Sequence, residues 1–167
     1  SDVKAAYIEG LDSFAVKVAS GFFDNPKLGL PSSNGLMILL DSKTGVIKSV
    51  LLDKGYLTDV RTAIAGAIAS KYLSNSSSST VAIVGAGIQA RMQLEALTLV
   101  RDIKNVNVWS RDIKKAHAYI ENVGKNINLN FQAFDNINEV VKTADILITA
   151  TPSKKPLIDF SAPVSYT

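Results

Sequence analysis

Two glycines spaced by one residue, Gly85 and Gly87, follow the apolar run Val81-Ala-Ile-Val and precede a small residue, Ala90. This is the Gly-x-Gly-x-x-Gly/Ala pattern of a dinucleotide-binding turn. Its chemistry lies in its residue types. Gly85 permits a tight turn, Gly87 has no side chain to hold a pyrophosphate off the backbone, and Ala90 lets helix and strand pack closely. A helix opening near Ile88 and Gln89 presents free N–H groups and a partial positive charge to phosphate. Strand–glycine–helix units also occur without a ligand, so the rest of the chain has to decide.

Four further groups carry potential chemistry. Ser110-Arg111-Asp112 follows a second strand, where such folds meet the adenosine ribose. An acid there binds the free 2′-hydroxyl of NAD, and an arginine accommodates the phosphate of NADP. Serine at 110 with Arg111 leans toward NADP(H), whereas Lys114 and Lys115 read as the solvated face of a capped helix. Thr149 and Thr151 fall at the carboxyl end of a fourth strand, where ligands of parallel sheets sit, unless they are core threonines. Lys17 lies between Ala15 and Ala19 on a strand, either solvated or as a cation at the floor of a substrate cleft. Arg61 falls in the first turn of a helix, either on the surface or as an anion-binding fork. His117, the single histidine, reads as a boundary residue in mid-helix. With no cysteine, thiol chemistry and Cys-ligated metal are excluded, and no other metal constellation is visible.

The elements that must position these residues fall into two parts. Residues 1–75 read as a strand-rich, mostly antiparallel unit: a strand over 13–23, a loop over 24–31, a hairpin of 35–40 and 46–52 around the turn 41–45, then a helix from Thr58 to Leu73. Thr58 is the expected N-cap, and Val60, Ile64, Ala67 or Ile68, and Tyr72 the expected apolar stripe. Ala65, Gly66 and Ala69 allow another element to approach. The polar run Asn75–Thr80 is the expected domain boundary. Residues 76–167 alternate strand and helix: the fingerprint strand, a helix over 88–100 with Ile88, Met92, Ala96 and Leu99 inward, a strand at Val106–Trp109, a helix over 110–123 on Ile113, Ala116, Ile120 and Val123, a strand on Ile127, Leu129, Phe131 and Ala133, a short helix capped by Asp135 or Asn136, and a strand over 145–152. The fold class is therefore α/β, a Rossmann-type doubly wound parallel sheet preceded by a partial antiparallel β-rich domain.

The chain is 47% hydrophobic and 20% charged over 167 residues, ordinary for a soluble cytoplasmic protein. No apolar run approaches the roughly 20 residues of a membrane span, and no signal-peptide pattern opens the chain. A net charge of +3, with scattered basic residues and 7% aromatics, argues against nucleic acid as a partner.

Phe14-Ala-Val-Lys-Val, Phe23-Asp-Asn-Pro, Gly29-Leu-Pro, Leu57-Thr-x-x-Arg-Thr, Gly85-Ala-Gly-x-Gln-Ala, Trp109-Ser-Arg and Thr149-Ala-Thr-Pro-Ser occur in one order along nearly the whole chain. Together they resemble the ornithine cyclodeaminase/mu-crystallin family. Asn25-Pro-Lys-Leu-Gly-Leu-Pro and Gln89-Ala-Arg-Met-Gln-Leu-Glu-Ala are most similar to its ectoine-utilisation branch. The resemblance implies an NAD(H)- or NADP(H)-dependent enzyme acting on a small amino or imino acid. Cyclodeamination of an ornithine-like substrate passes through an imine; dehydrogenases, imine reductases and a binding protein are the family's other forms. It further implies that Lys17 and Arg61 hold substrate, that Ser32, Arg61 and Thr62 lie near the cofactor, that Gly85, Gly87, Ile88 and Gln89 form the pyrophosphate loop, and that the protein is a homodimer. Family members usually carry another substrate-binding arginine upstream and a catalytic aspartate after a fifth strand. Asp159 lies close to that region, but its Ile-Asp-Phe context does not match. Lys17 and Arg61 are cations and poor bases, so the 167-residue chain alone is expected to be catalytically incompetent, with an open edge on its antiparallel sheet.

Overall fold

A computed structural model of the protein describes residues 1–22 and 24–158; Phe23 and Asp159 lie outside them. The chain divides into two compact units, Ser1–Arg61 and Thr62–Thr167. The division falls inside the first helix, upstream of the serine-rich run.

In the first unit, β1 (Asp2–Ala6), β2 (Ser13–Gly21), β3 (Ser33–Asp41) and β4 (Ile47–Leu51) form an antiparallel sheet in the order β1-β2-β3-β4. β1 was not anticipated, because two charges in five residues mask a strand. Its register sets Lys4 opposite Lys17 and Asp2 opposite Ala19. The β3–β4 turn is organised by Asp41, whose Oδ1 accepts from the backbone N–H groups of Lys43 and Thr44 and from the Thr44 hydroxyl. Its Oδ2 meets Lys48 Nζ at 3.0 Å. Lys48 first, then the turn amides, hold this carboxyl well below its ordinary value of 3.8. A depressed folded pKa gives stability that is complete above the unfolded value and is lost as pH falls through the folded one. Acid titration should therefore loosen this hairpin only below about pH 4, read from the Thr44 amide resonance, and Asp41→Asn should remove that acid step.

α1 (Tyr56–Leu73) starts two residues before Thr58. Asp53 closes its N-terminus, with Oδ2 accepting from Leu57 N–H and its carbonyl accepting from Tyr56 N–H. Thr58 is thus inside the helix, and Arg61 sits in the second turn instead of the first. Of the expected apolar stripe, Ala67 is buried, whereas Ile64, Ile68 and Tyr72 are 48%, 52% and 73% exposed. The buried face of the α1 segment in the second unit is the small one, Ala63 and Ala67, packed with Ala96. Close packing wins here because small side chains let α2 approach, with Gln93 lying against Gly66. Ala65 and Ala69 remain exposed.

The C-terminal end of α1 is fastened by Arg101, whose guanidinium donates to the carbonyls of Ser70, Lys71 and Ser74 and to the Ser74 hydroxyl. The Lys71 carbonyl is one of the acceptors a helix end leaves open, while the Ser70 carbonyl also accepts from Ser74 N–H. Arg101→Ala is expected to cost about 2 kcal/mol, seen as a lower urea midpoint, whereas Arg91→Ala, which loses only an exposed i,i+4 pair, should cost under about 0.5 kcal/mol.

The second unit carries the parallel sheet, with β5 (Thr80–Val84), β6 (Asn105–Trp109), β7 (Asn130–Phe134) and β8 (Ile146–Thr149) in the order β7-β6-β5-β8. α2 (Ile88–Thr98) and α3 (Ile113–Gly124) cover one face over Val81, Ile83, Val106 and Val108; α4 (Ile137–Lys142) packs Val140 and Val141 on the other, over Ala82 and Val84. Helices on both faces explain why β5 is apolar and buried from Val81 to Val84. On α2 the buried residues are Ala90, Leu94, Ala96 and Leu97; Ala96 is inward as expected and Met92 packs beside it, but Ile88 and Leu99, at the two ends, are 58% and 84% exposed. α3 keeps Ala116 and Val123 inside and adds Tyr119, whose hydroxyl donates to the Ala90 carbonyl at 3.1 Å. Burial pushes that phenol well above its ordinary value. Asp112 caps α3 and Asn136 caps α4. Among the described residues, no helix is long and apolar enough to cross a membrane.

Candidate functional site

The sheet order turns at β5: β6 lies on one side and β8 on the other, and each is reached by a separate crossover. In such sheets a crevice opens at the carboxyl ends of the strands. Here it is closed at its base by two hydrogen bonds. Gly85 N–H donates to the Trp109 carbonyl at the end of β6, and Ala150 N–H donates to the Val84 carbonyl, both at 2.8 Å. Gly85 takes φ +121, a left-handed conformation that glycine adopts without strain.

Above this base lies a cleft of about 360 Å³. Of the expected site residues it gathers Gly85, Gly87, Ser110, Arg111 and Thr151. Gly87 is exposed, with φ −99 and ψ −171, and a Cβ built there would meet nothing within 4 Å. That open space is a cradle which a side chain would fill. Ile88 and Gln89 open α2 directly behind Gly87 and do not line the cleft. Thr149 is exposed and faces an adjoining cavity of about 310 Å³, which it shares with Thr151.

Sequence reasoning missed several contributors. Trp109 lines the cleft and is held by an indole N–H bond to the Asp135 carbonyl at 3.0 Å. Lys115, expected on the solvated face, also lines it; its position four residues after Arg111 on a helix start was the available signal. Arg111 and Lys115 make no ion pair among the described residues. Asp112 is at the cleft too, and its Oδ1 accepts from Lys114 N–H at 3.0 Å. The residues present fit a dinucleotide: a glycine cradle at a helix start, and two cations, Arg111 and Lys115, just past the carboxyl end of β6, where such folds meet a ribose.

Lys17, Ser32 and Arg61 belong to the first unit, and Thr62 opens the second. Lys17 is 4% exposed, so the solvated reading is excluded. Its Nζ donates to Asp2 Oδ2 at 3.0 Å. Ser32 is half-buried in the loop before β3, and its carbonyl accepts from Phe22 N–H at 2.8 Å. Arg61 is exposed on α1, and Thr62 is half-buried beside it.

The Ornithine cyclodeaminase/mu-crystallin family matches residues 2–164. The chain is 52% identical, over 94% of its length and 47% of the relative's, to an uncharacterized cyclodeaminase, y4tK, of Sinorhizobium fredii. The solved Delta(1)-pyrroline-2-carboxylate reductase of Thermococcus litoralis, in complex with NADH and L-proline, superposes with a TM-score of 0.79 at 32% identity, over 93% of this chain and 52% of that one. An archaeal alanine dehydrogenase dimer with bound NAD superposes with a TM-score of 0.81 at 29% identity, over 96% and 52%. The chain thus spans about half the length of the relatives it matches. A match over residues 2–164, carried by the motifs around Lys17, Arg61, Gly85 and Thr151, means that the chain belongs to the ornithine cyclodeaminase/mu-crystallin family.

Proposed function

We propose that the protein uses NAD(H) or NADP(H) to interconvert amine and imine at the α-carbon of a small amino or imino acid. The observation that carries this reading is the Gly85–Gly87 turn, open at Gly87 and flanked by Trp109, Ser110, Arg111 and Thr151. A bound nicotinamide supplies hydride exchange with the substrate carbon. The chain's own residues do the rest. The backbone at Gly85 and Gly87, with the α2 start at Ile88 and Gln89, holds the pyrophosphate. Ser110 and Arg111 meet the ribose, and Thr149 and Thr151 border the end of β8. Lys17 and Arg61 present positive charge to the substrate carboxylate, and the family's motifs support Ser32 and Thr62 as cofactor contacts. Relatives named as cyclodeaminase, Delta(1)-pyrroline-2-carboxylate reductase and alanine dehydrogenase support one shared chemistry with different outcomes. An ornithine-like cyclodeaminase returns the hydride; a dehydrogenase or reductase does not. The alanine dehydrogenase dimer supports a homodimer here.

A second reading, a non-catalytic cofactor- and ligand-binding protein, is favoured by one observation. The carboxylate at the cleft, Asp112, is committed to capping α3. Ammonia release and nicotinamide absorbance, followed in parallel with L-ornithine, L-proline and L-alanine, separate the readings. Ammonia without net reduction marks a cyclodeaminase, and nicotinamide turnover marks a dehydrogenase or reductase. Neither signal, with saturable cofactor binding, leaves the binder.

Arg111 decides the cofactor. It is exposed and unpaired among the described residues, beside Lys115, so a 2′-phosphate gains a charge-assisted partner. Arg111→Ala is expected to weaken NADPH binding about tenfold and NADH binding little. The chain's single tryptophan lines the cleft, so energy transfer from Trp109 to the reduced nicotinamide reads both. A preference for NADH that the substitution leaves unchanged would overturn this assignment.

A further inference from the structure

We propose that Asp2 is the positioning residue for the Lys17 ammonium, and so for whatever carboxylate that ammonium receives. The inference rests on the reading of Lys17 as a substrate-holding residue.

Lys17 is a charged side chain buried on the face of the antiparallel sheet, 4% exposed. Burying an ammonium costs free energy unless it is paired. Among the described residues Asp2 supplies the pairing, and it does so across strands: Lys17 lies opposite Lys4 and leans diagonally to Asp2 Oδ2 at 3.0 Å. The same oxygen meets Lys4 Nζ at 3.3 Å. Lys4 is a weaker partner, since its side chain is 62% exposed and solvent competes for it. The Lys17 hydrogen bond is the main reason that the Asp2 carboxyl is held below its ordinary value.

An ammonium has three donors. One goes to Asp2, and no other acceptor for Lys17 occurs among the described residues. Anchoring one N–H fixes the cone in which the remaining two point, and a buried ammonium with two spare donors is complete only when an acceptor arrives. A free Lys side chain would lose rotamer entropy on each binding event; Asp2 removes that cost in advance. Ala15 and Ala19 on the same face of β2 leave Lys17 without a bulky neighbour on its own strand to do the same job.

The test is a double-mutant cycle on the NADH-saturated protein, read by calorimetric affinity for L-proline. Asp2→Asn should weaken L-proline binding about tenfold, Asp2→Glu should recover most of it, and Asp2→Asn should add nothing in a Lys17→Met background. NADH affinity should stay level throughout. Unchanged L-proline affinity in Asp2→Asn, or the same loss with and without Lys17, overturns the proposal. If the unsubstituted protein binds NADH but no L-proline, the substrate reading fails first. Asp2 is then judged by the rate of reductive methylation at Lys17, mapped by peptide mass. A severalfold change in Asp2→Asn and none in Lys4→Met supports the positioning role, and equal rates in all three proteins reject it.

Discussion

Replacing Gly87 by alanine is expected to remove tight cofactor binding while leaving the fold intact. The backbone there has φ −99 and ψ −171, an extended conformation that any residue adopts, and an added Cβ would meet no atom within 4 Å. Nothing in the protein therefore resists the substitution, and unfolding free energy should change by less than about 0.5 kcal/mol. The cost appears only when a pyrophosphate approaches. One methyl group at the turn pushes the phosphate away from the α2 N-terminus, where the open N–H groups and the helix dipole act over short range. A loss of about 2–3 kcal/mol, roughly 30- to 150-fold in Kd, follows. Titration of Trp109 energy transfer with NADH and NADPH measures it, and a parallel urea melt confirms the fold. Full affinity in Gly87→Ala would mean that the turn is a structural corner and that the cofactor, if any, lies elsewhere.

The parts of this molecule that were legible in the sequence are those whose signal is local. β5, the glycine turn and the start of α2 follow from an apolar run meeting two small residues, and the alternation of strand and helix after them predicts the parallel sheet. What was hidden depends on partners far along the chain. The stripe of α1 departs from its hydrophobic pattern at Ile64, Ile68 and Tyr72, because Ala63 and Ala67 are buried by their closeness to Ala96. Its N-terminus lies upstream of the expected one because Asp53, and not the cap-favouring Thr58, supplies the cap. β1 reads as polar until Asp2 is seen to answer Lys17, fifteen residues away. Lys17 itself could be singled out by its alanine neighbours, but its burial could not be read from them. Within the cleft, the glycines, Ser110, Arg111 and Thr151 were accessible from the motif. Lys115 and Trp109 enter only because β6 ends beside β5.

Gly85→Ala should behave in the opposite way to Gly87→Ala, with a large loss of stability. At φ +121 an L-residue pays for its Cβ whatever the surrounding space. The space is also absent: the Cβ would clash with the Ala150 carbonyl oxygen and lie 2.9 Å from its carbon. These are backbone atoms, so no side-chain rotation relieves the clash. Ala150 cannot simply retreat, since its N–H is bonded to the Val84 carbonyl at 2.8 Å, and Gly85 is tied at the same distance to Trp109 on its other side. Room for the methyl group comes only from parting β8 from β5 at the end of the sheet, over the core of Val84, Val140 and Val141. The expected cost is about 3–5 kcal/mol, a fall in melting temperature on the order of 10 °C or more for a unit of this size. Thr151, whose Cγ2 is 3.3 Å from the added Cβ, would be displaced with the strand end, so cofactor binding should fall as well, but as a consequence of the distorted sheet. Differential scanning calorimetry of the two alanine variants, side by side, distinguishes the two glycines: a melt for Gly85→Ala within about 2 °C of the unsubstituted protein would mean that the close approach of β8 to the turn is not what holds this end of the sheet together.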